Sequence, residues 1–218
     1  EKNFKQKSDL LSYLRDIIVF ESNHIKEAKR YIYNNQINQA LATLRELSPK
    51  HPDYIESLYM MGQVHLKYLD DPKSAQNYLT KILEQKTKEK NSFHNRAYVY
   101  NLIIKHEMLE IQSLSKKDAI ENLNDIYKDI VTAKSFDPES FSSEKDKFLD
   151  HINFYQALVS QNLWERRGFP KDQLLNLELL WSRYMRDIAY KKQPKHQQKA
   201  KFYLSLIRDK KKMQQNLL

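Results

Sequence analysis

Histidine is the residue type in this chain with the broadest catalytic and metal-binding chemistry, and its seven copies are scattered along the sequence. No histidine lies four residues from another, so the His-Glu-x-x-His pattern that puts two zinc ligands on one helical face is absent. His106 and Glu107 are adjacent, but neighbouring helix residues point about 100° apart and do not form an acid–base pair. We therefore predict no metal site and no cofactor.

Glycine and cysteine offer little chemistry either. Gly62 and Gly168 are the two glycines, which excludes a glycine-rich phosphate loop and a Gly-x-Ser-x-Gly nucleophile turn. The chain has no cysteine, which excludes disulfides and thiolate ligands. The two carboxylates of a glycoside hydrolase come from distant positions in the sequence, so the sequence alone neither shows nor excludes such a pair. Taken together, these patterns predict no catalytic residues and a protein that is not an enzyme.

The composition indicates a folded helical chain. Of the 218 residues, 40% are hydrophobic and 11% are aromatic, whereas disordered chains are poor in aromatic residues. Two glycines are too few for the many tight turns of an all-β fold. No run of 18 apolar residues occurs, so no transmembrane helix is predicted. We expect an all-α fold of about nine or ten helices.

Apolar residues recur at helical spacing through most of the chain, and the six prolines lie where this periodicity breaks. Asp71 followed by Pro72 is a typical helix start, and Gly168 is well placed to end a helix. A loop is predicted over residues 136–142. The predicted helices cover residues 8–21, 22–34, 37–48, 53–69, 72–86, 92–113, a segment beginning at 115, 143–164, 170–192 and a last segment from 194 onward.

One stretch of the chain, residues 24–87, repeats itself at a fixed spacing. The repeated pairs are Ala28 and Gly62 and Tyr31 and His65, each 34 residues apart, and Ala40 and Ala75, 35 residues apart. Small residues are needed where two helices cross, because axes 8 to 10 Å apart leave no room for a branched side chain. The period and the residue types resemble two tetratricopeptide (TPR) repeats. His24 and Glu27, which stand where the family has apolar residues, depart from its pattern.

The resemblance implies a right-handed solenoid of antiparallel helical hairpins. Within it we assign residues 1–23 to an N-terminal helix, 24–87 to the two repeats and 88–135 to an irregular third hairpin. Residues 136–218 would form a C-terminal helical hairpin and a basic capping helix. We expect these segments to form one continuous solenoid.

In this family the concave groove binds a peptide or helical segment of another protein. The positions that correspond to the groove are Ile25, Lys29, Ile32, Tyr33, Tyr59, Gln63, Leu66, Lys67, Tyr98 and Asn101. Their apolar and aromatic side chains with two lysines favour a peptide that has apolar anchors and some acidic character, with Tyr33 and Tyr59 as the main anchors. Ile25 and Lys29 stand where the family's clamp for chaperone C-termini needs Lys and Asn, so that ligand is not expected. Alternatively, the N-terminal helix itself lies in the groove.

The C-terminal end is strongly basic. Residues 191–218 hold nine Lys or Arg against one acid, and the net charge of the whole chain is +9. This end could be the solvated outer face of a capping helix, a contact for an acidic protein or anionic lipid, or a nucleic-acid site. The residues that would contact a polyanion are Lys199, Lys201, Lys210, Lys211 and Lys212.

These patterns favour a non-enzymatic scaffold or adaptor that binds another protein. The alternative is a regulator that binds nucleic acid or another polyanion through the basic end. Low glycine with abundant Lys, Asn and Ile is typical of an AT-rich bacterial genome, which would fit an assembly factor. The chain opens at Glu1. An export signal upstream of it would indicate a periplasmic or membrane-anchored protein, and the absence of such a signal would indicate a cytoplasmic protein.

Overall fold

The computed structural model describes residues 23–85, 92–186 and 194–215. The chain divides into two compact units, Glu1–Ile82 (unit 1) and Leu83–Leu218 (unit 2). Every regular element in the described residues is helical, which confirms the predicted all-α class. The predicted helix over 8–21 and the segments 86–91 and 187–193 lie outside the described residues.

Unit 1 contains four described helices, each close to its predicted bounds, and the last of them runs two residues past Ile82. They are α1 (Asn23–Tyr33), α2 (Ile37–Arg45), α3 (Tyr54–Tyr68) and α4 (Pro72–Glu84). In sequence order α1 packs on α2 and α2 packs on α3. The Asp71 carboxylate accepts a hydrogen bond from the Ser74 backbone N–H at 3.0 Å, so the predicted cap at the start of α4 is confirmed.

The small residues of the sequence repeat lie inside unit 1. Ala28, Ala40 and Ala75 are completely buried. Gly62 on α3 faces α4, where an added Cβ would meet the Leu79 side chain at 3.0 Å. Gly62 therefore lies where α3 and α4 approach closely, and the three alanines lie in the packed interior.

Replacing Ala40 by leucine should destabilise the chain by about 1–3 kcal/mol, because the site is fully buried and has no space for three more carbon atoms. The measurement is chemical denaturation of the wild type and the variant. Ala42→Leu, at an exposed position of the same helix, is the matched control and should have little effect. A denaturation curve for Ala40→Leu equal to that of the wild type would contradict the assigned crossing.

Unit 2 contains five described α-helices and two short 3₁₀ helices. The α-helices are α5 (Ser92–Ile111), α6 (Lys116–Lys134), α7 (Lys145–Arg166), α8 (Leu174–Arg186) and α9 (Pro194–Gln215). The 3₁₀ helices are Pro138–Glu144 and Lys171–Gln173, the first replacing most of the loop predicted at 136–142. Gly168 has a φ of 86° just after α7, which confirms its predicted role in ending that helix.

The core of unit 2 forms around α7, which packs against α5, α6 and α8. Its largest fully buried side chains are aromatic: Phe141, Phe148, Trp164 and Trp181. Phe141 stacks on Phe148 with ring centroids 5.0 Å apart, which ties the first 3₁₀ helix to α7. Among the described residues, none of the helices combines the length and the apolar character that a membrane span requires.

Candidate functional site

The predicted groove positions on α1 differ widely in exposure. Ile25 is completely buried, Ile32 is half-buried, and Lys29 and Tyr33 are exposed. Tyr33 is 90% exposed, the most exposed large hydrophobic side chain described. Ile25 therefore belongs to the packed interior, and Lys29, Ile32 and Tyr33 are the positions on α1 that a ligand could reach.

The positions on α3 divide in the same way. Tyr59 is 4% exposed, so its ring packs inside unit 1 and does not stand on the surface as the second tyrosine anchor we expected. Gln63 and Leu66 are half-buried, and Lys67 is exposed and donates to the Gln63 side-chain oxygen at 3.3 Å. Lys29 Nζ on α1 and Glu56 Oε1 on α3 form a partly exposed ion pair at 3.1 Å, which links side chains of these two helices.

The last two groove positions, Tyr98 and Asn101, lie on α5 in unit 2. The Tyr98 hydroxyl donates to Asp129 Oδ1 at 2.9 Å, and burial with the Asp129 carboxylate raises the pKa of Tyr98 to about 12. Asn101 is buried, with 9% of its surface exposed. Tyr98 is thus bound to α6 and Asn101 is packed inside its own unit.

The basic C-terminal residues lie on α9, and they differ in their contacts with the rest of unit 2. Lys211 Nζ is 2.8 Å from Glu178 Oε2, and Lys210 Nζ lies 5.0 Å from the centroid of the Phe169 ring. Lys199, Lys201 and Lys212 are exposed. Two of the five proposed polyanion contacts therefore already interact with groups of unit 2.

A polar cluster that the sequence did not predict lies where α7, α8 and α9 meet. Asp150 on α7 is 1% exposed, and one of its oxygens, Oδ1, accepts a hydrogen bond from the Tyr184 hydroxyl of α8 at 2.8 Å. The other, Oδ2, lies 2.7 Å from His196 Nδ1 in the first turn of α9. His151 follows Asp150 on α7 and its ring centroid is 5.4 Å from that of His196. Two helices thus contribute the three members of a buried or half-buried polar group, the Asp150–His151–His196 cluster, and Tyr184 contacts it from a third helix.

Aromatic packing fixes the orientation of this cluster. The Phe154 ring stacks on the His196 imidazole with centroids 3.8 Å apart and planes within 5°. Burial, reinforced by the neighbouring His196, lowers the pKa of His151 to about 4. His151 is therefore a neutral imidazole near neutral pH, the form that can donate a lone pair.

His196 also lines a cavity of about 530 Å³. The wall includes His106, Glu107, Glu110, Tyr155 and Lys199. Asn162 Nδ2 lies 3.0 Å from His106 Nε2. Because an amide nitrogen only donates, His106 Nε2 accepts and its proton resides on Nδ1. Burial, with a smaller contribution from the Lys199 charge, lowers the pKa of His106 to about 4.

This pKa predicts a loss of stability in acid. In the unfolded chain His106 has its ordinary pKa of 6.5 and binds a proton before the folded chain does, so stability falls as the pH falls from 6.5 towards about 4. We expect about 2 kcal/mol to be lost between pH values of about 7 and about 5.

The measurement is urea denaturation at several pH values for the wild type and His106→Gln, whose amide oxygen can still accept from Asn162. The variant lacks this titration, so its stability should fall less steeply. Glu107, Glu110, Tyr155, His196 and Lys199 face the same cavity and remain in both proteins. Parallel pH curves for the two proteins would show that His106 is not the group responsible.

Sequence reasoning missed the Asp150–His151–His196 cluster because it searched for ligands at helical spacing. His196 lies 46 residues from Asp150, and the fold alone brings them together. Helical spacing on α7 gave no signal either: Asp150 lies two residues, about 200° around the helix, from each of the inward positions Phe148 and Ile152.

Comparison of the chain with protein-family models, with curated proteins and with solved structures finds no match. None of these comparisons identifies it as a TPR protein. The described residues define an all-α protein.

Proposed function

We propose that unit 1 binds an acidic segment of another protein and that the chain serves as a non-enzymatic scaffold or adaptor of the TPR-like kind. The observation that carries this proposal is the ion pair between Lys29 on α1 and Glu56 on α3. It joins the first helices of two consecutive hairpins, and in helical-repeat proteins those helices form the shared binding face. A right-handed solenoid remains the architecture that the repeat pattern predicts.

Exposed apolar groups at this pair of helices support the proposal. Tyr33 is 90% exposed, and Ile32 and Leu66 are half-buried. Tyrosine offers a large rigid contact area at a small entropic cost, which is why it is common at binding hot spots. We assign Tyr33 as the main anchor for the ligand, with Ile32 and Leu66 as secondary contacts.

The charges on α1 support an acidic ligand. Three basic residues, Lys26, Lys29 and Arg30, stand against one acid, Glu27, on this short helix. Lys67 adds a further cation on α3. Complementary charges mainly speed association and reject wrong partners, whereas apolar anchors hold the complex together.

The experiment is selection of peptides from a displayed library on the full chain, followed by affinity measurements on the selected peptides. Selected peptides should be acidic with apolar residues, and Tyr33→Ala should weaken their binding about 30-fold, or about 2 kcal/mol. The matched control is Phe202→Ala, another exposed aromatic side chain, at 62% exposure on α9 of unit 2. An equal loss in both variants, or none in Tyr33→Ala, would contradict the proposal.

Binding of a polyanion by the basic end is the alternative. Lys201 and Lys212 are exposed on α9, which also carries the exposed Phe202, a combination that suits nucleic acid. Salt-dependent binding of random DNA or RNA that is lost on neutralising these two lysines would favour this alternative. If unit 1 binds the ligand, the same changes should only reduce the salt dependence of peptide binding.

A further inference from the structure

We propose that Asp150, His151 and His196 form a binding site for a divalent transition-metal ion such as zinc. One potential ligand atom from each residue lies within 4.8 Å of the other two. The proposal does not rest on the proposed function, because all three residues lie in unit 2.

The spacing of the three groups is close to what a metal needs. Tetrahedral zinc with bonds of about 2.0 to 2.1 Å places its ligand atoms about 3.3 Å from one another. His196 Nδ1 and Asp150 Oδ2 are 2.7 Å apart, so this pair must open by a fraction of an ångström. The distances from the His151 ligand nitrogen to the ligand atoms of Asp150 and His196 are 4.8 Å or less and must shorten to about 3.3 Å. Side-chain rotation can make this change.

The surroundings of the cluster already resemble the outer shell of a metal site. The Tyr184 hydroxyl binds Asp150 Oδ1 and leaves Oδ2 facing His196. The Phe154 ring holds the His196 imidazole in one plane. Such outer contacts orient the ligands and are a regular feature of metal sites.

Two features of the cluster suit a bound cation. His151 Nδ1 is buried and has no hydrogen-bond partner within the described part of the chain. The Asp150 carboxylate is 1% exposed, and burying such a charge is costly unless a positive charge is close. A divalent ion would neutralise the carboxylate, and the buried His151 Nδ1 could coordinate it.

The donor set determines the class of metal. Two imidazole nitrogens and one carboxylate oxygen suit zinc and its first-row neighbours, whereas magnesium and calcium prefer sets made wholly of oxygen. Three protein ligands also leave at least one coordination position for water or a ligand, unlike the closed four-ligand sites that are structural. Because His196 lines the 530 Å³ cavity, that position would lie close to a space able to hold a small molecule.

The test is calorimetric titration of zinc into the full chain after removal of metals with a chelator. We expect one zinc ion per chain with about micromolar affinity or tighter. Asp150→Asn and His151→Gln should each weaken binding about 100-fold or more, and Tyr184→Phe should weaken it about 10-fold by loosening Asp150. His24→Gln, at a partly exposed histidine in unit 1, is the control and should bind as the wild type does.

Two further measurements, circular dichroism melting and cobalt(II) absorption, complete the test. Circular dichroism melting identifies any variant that fails to fold, and His196→Gln then serves as an additional ligand variant in the more exposed first turn of α9. Cobalt(II) in place of zinc should give the visible absorption of a low-coordinate nitrogen and oxygen site. Failure of the wild type to bind zinc, or wild-type affinity in folded Asp150→Asn and His151→Gln, would overturn the proposal.

Discussion

Replacing Trp181 by alanine should lower the free energy of unfolding by about 3–5 kcal/mol. Trp181 on α8 is completely buried. Its ring stacks on Tyr203 of α9 at 5.3 Å and meets Phe154 of α7 edge-on at 5.9 Å. Truncation therefore removes contacts to two neighbouring helices at once and leaves a cavity that the packed interior cannot close.

The measurement is urea denaturation followed by circular dichroism. Leu179→Ala is the matched control, because Leu179 lies on the same helix and is 53% exposed. It should change the free energy of unfolding by no more than about 0.5 kcal/mol. Similar values for the two variants would show that α8 does not pack into unit 2 through Trp181.

Replacing His196 by alanine should destabilise the chain by about 2–4 kcal/mol when metals are removed. The imidazole lies 2.7 Å from the Asp150 carboxylate, whose side chain is 1% exposed. Without His196, this buried carboxylate keeps the Tyr184 hydroxyl as its described donor. A buried charge that has lost a partner is more destabilising than a buried pair removed together.

A double-mutant cycle isolates this interaction. Asp150→Asn removes the charge and can still accept from Tyr184, so His196→Ala should have a much smaller effect in that background. We expect the two changes to be coupled by about 1–3 kcal/mol. Additivity within about 0.5 kcal/mol would mean that the contact between Asp150 and His196 does not stabilise the fold.

Helix positions could be predicted from the sequence because local signals determine them. The prediction of α4 from residue 72 rests on Asp71 and Pro72, and the hydrogen bond from Ser74 confirms it. The loop at 136–142 was predicted less well. Buried Phe141 anchors it as a 3₁₀ helix, and Phe136 and Phe141, five residues apart in a polar stretch, give no helical period.

The exposure of groove residues could not be read from helical spacing. Residues 57–62 of α3 are buried without interruption, so this part of the helix is enclosed on all sides. Tyr59 lies inside that segment, whereas the spacing alone placed it on an open face. How many neighbours surround a helix depends on tertiary packing, which a family pattern supplies only in outline.

The Asp150–His151–His196 cluster could not be predicted from the sequence for a related reason. Its residues come from two helices, with Tyr184 on a third, and their meeting depends on how α7, α8 and α9 pack. Sequence patterns detect ligands on one helical face or at fixed short spacing. Sites assembled from distant positions require the fold first.

Amide chemical shifts test most directly whether α1 and α3 of unit 1 form the proposed binding face for another protein. A peptide selected on the full chain is titrated into isotope-labelled protein, and the shifted amides are mapped. We predict that the largest shifts fall within residues 29–33 and 63–67, and that Tyr33→Ala suppresses them at matched peptide concentration. Shifts concentrated in residues 199–212 instead would contradict the account and assign binding to the basic end.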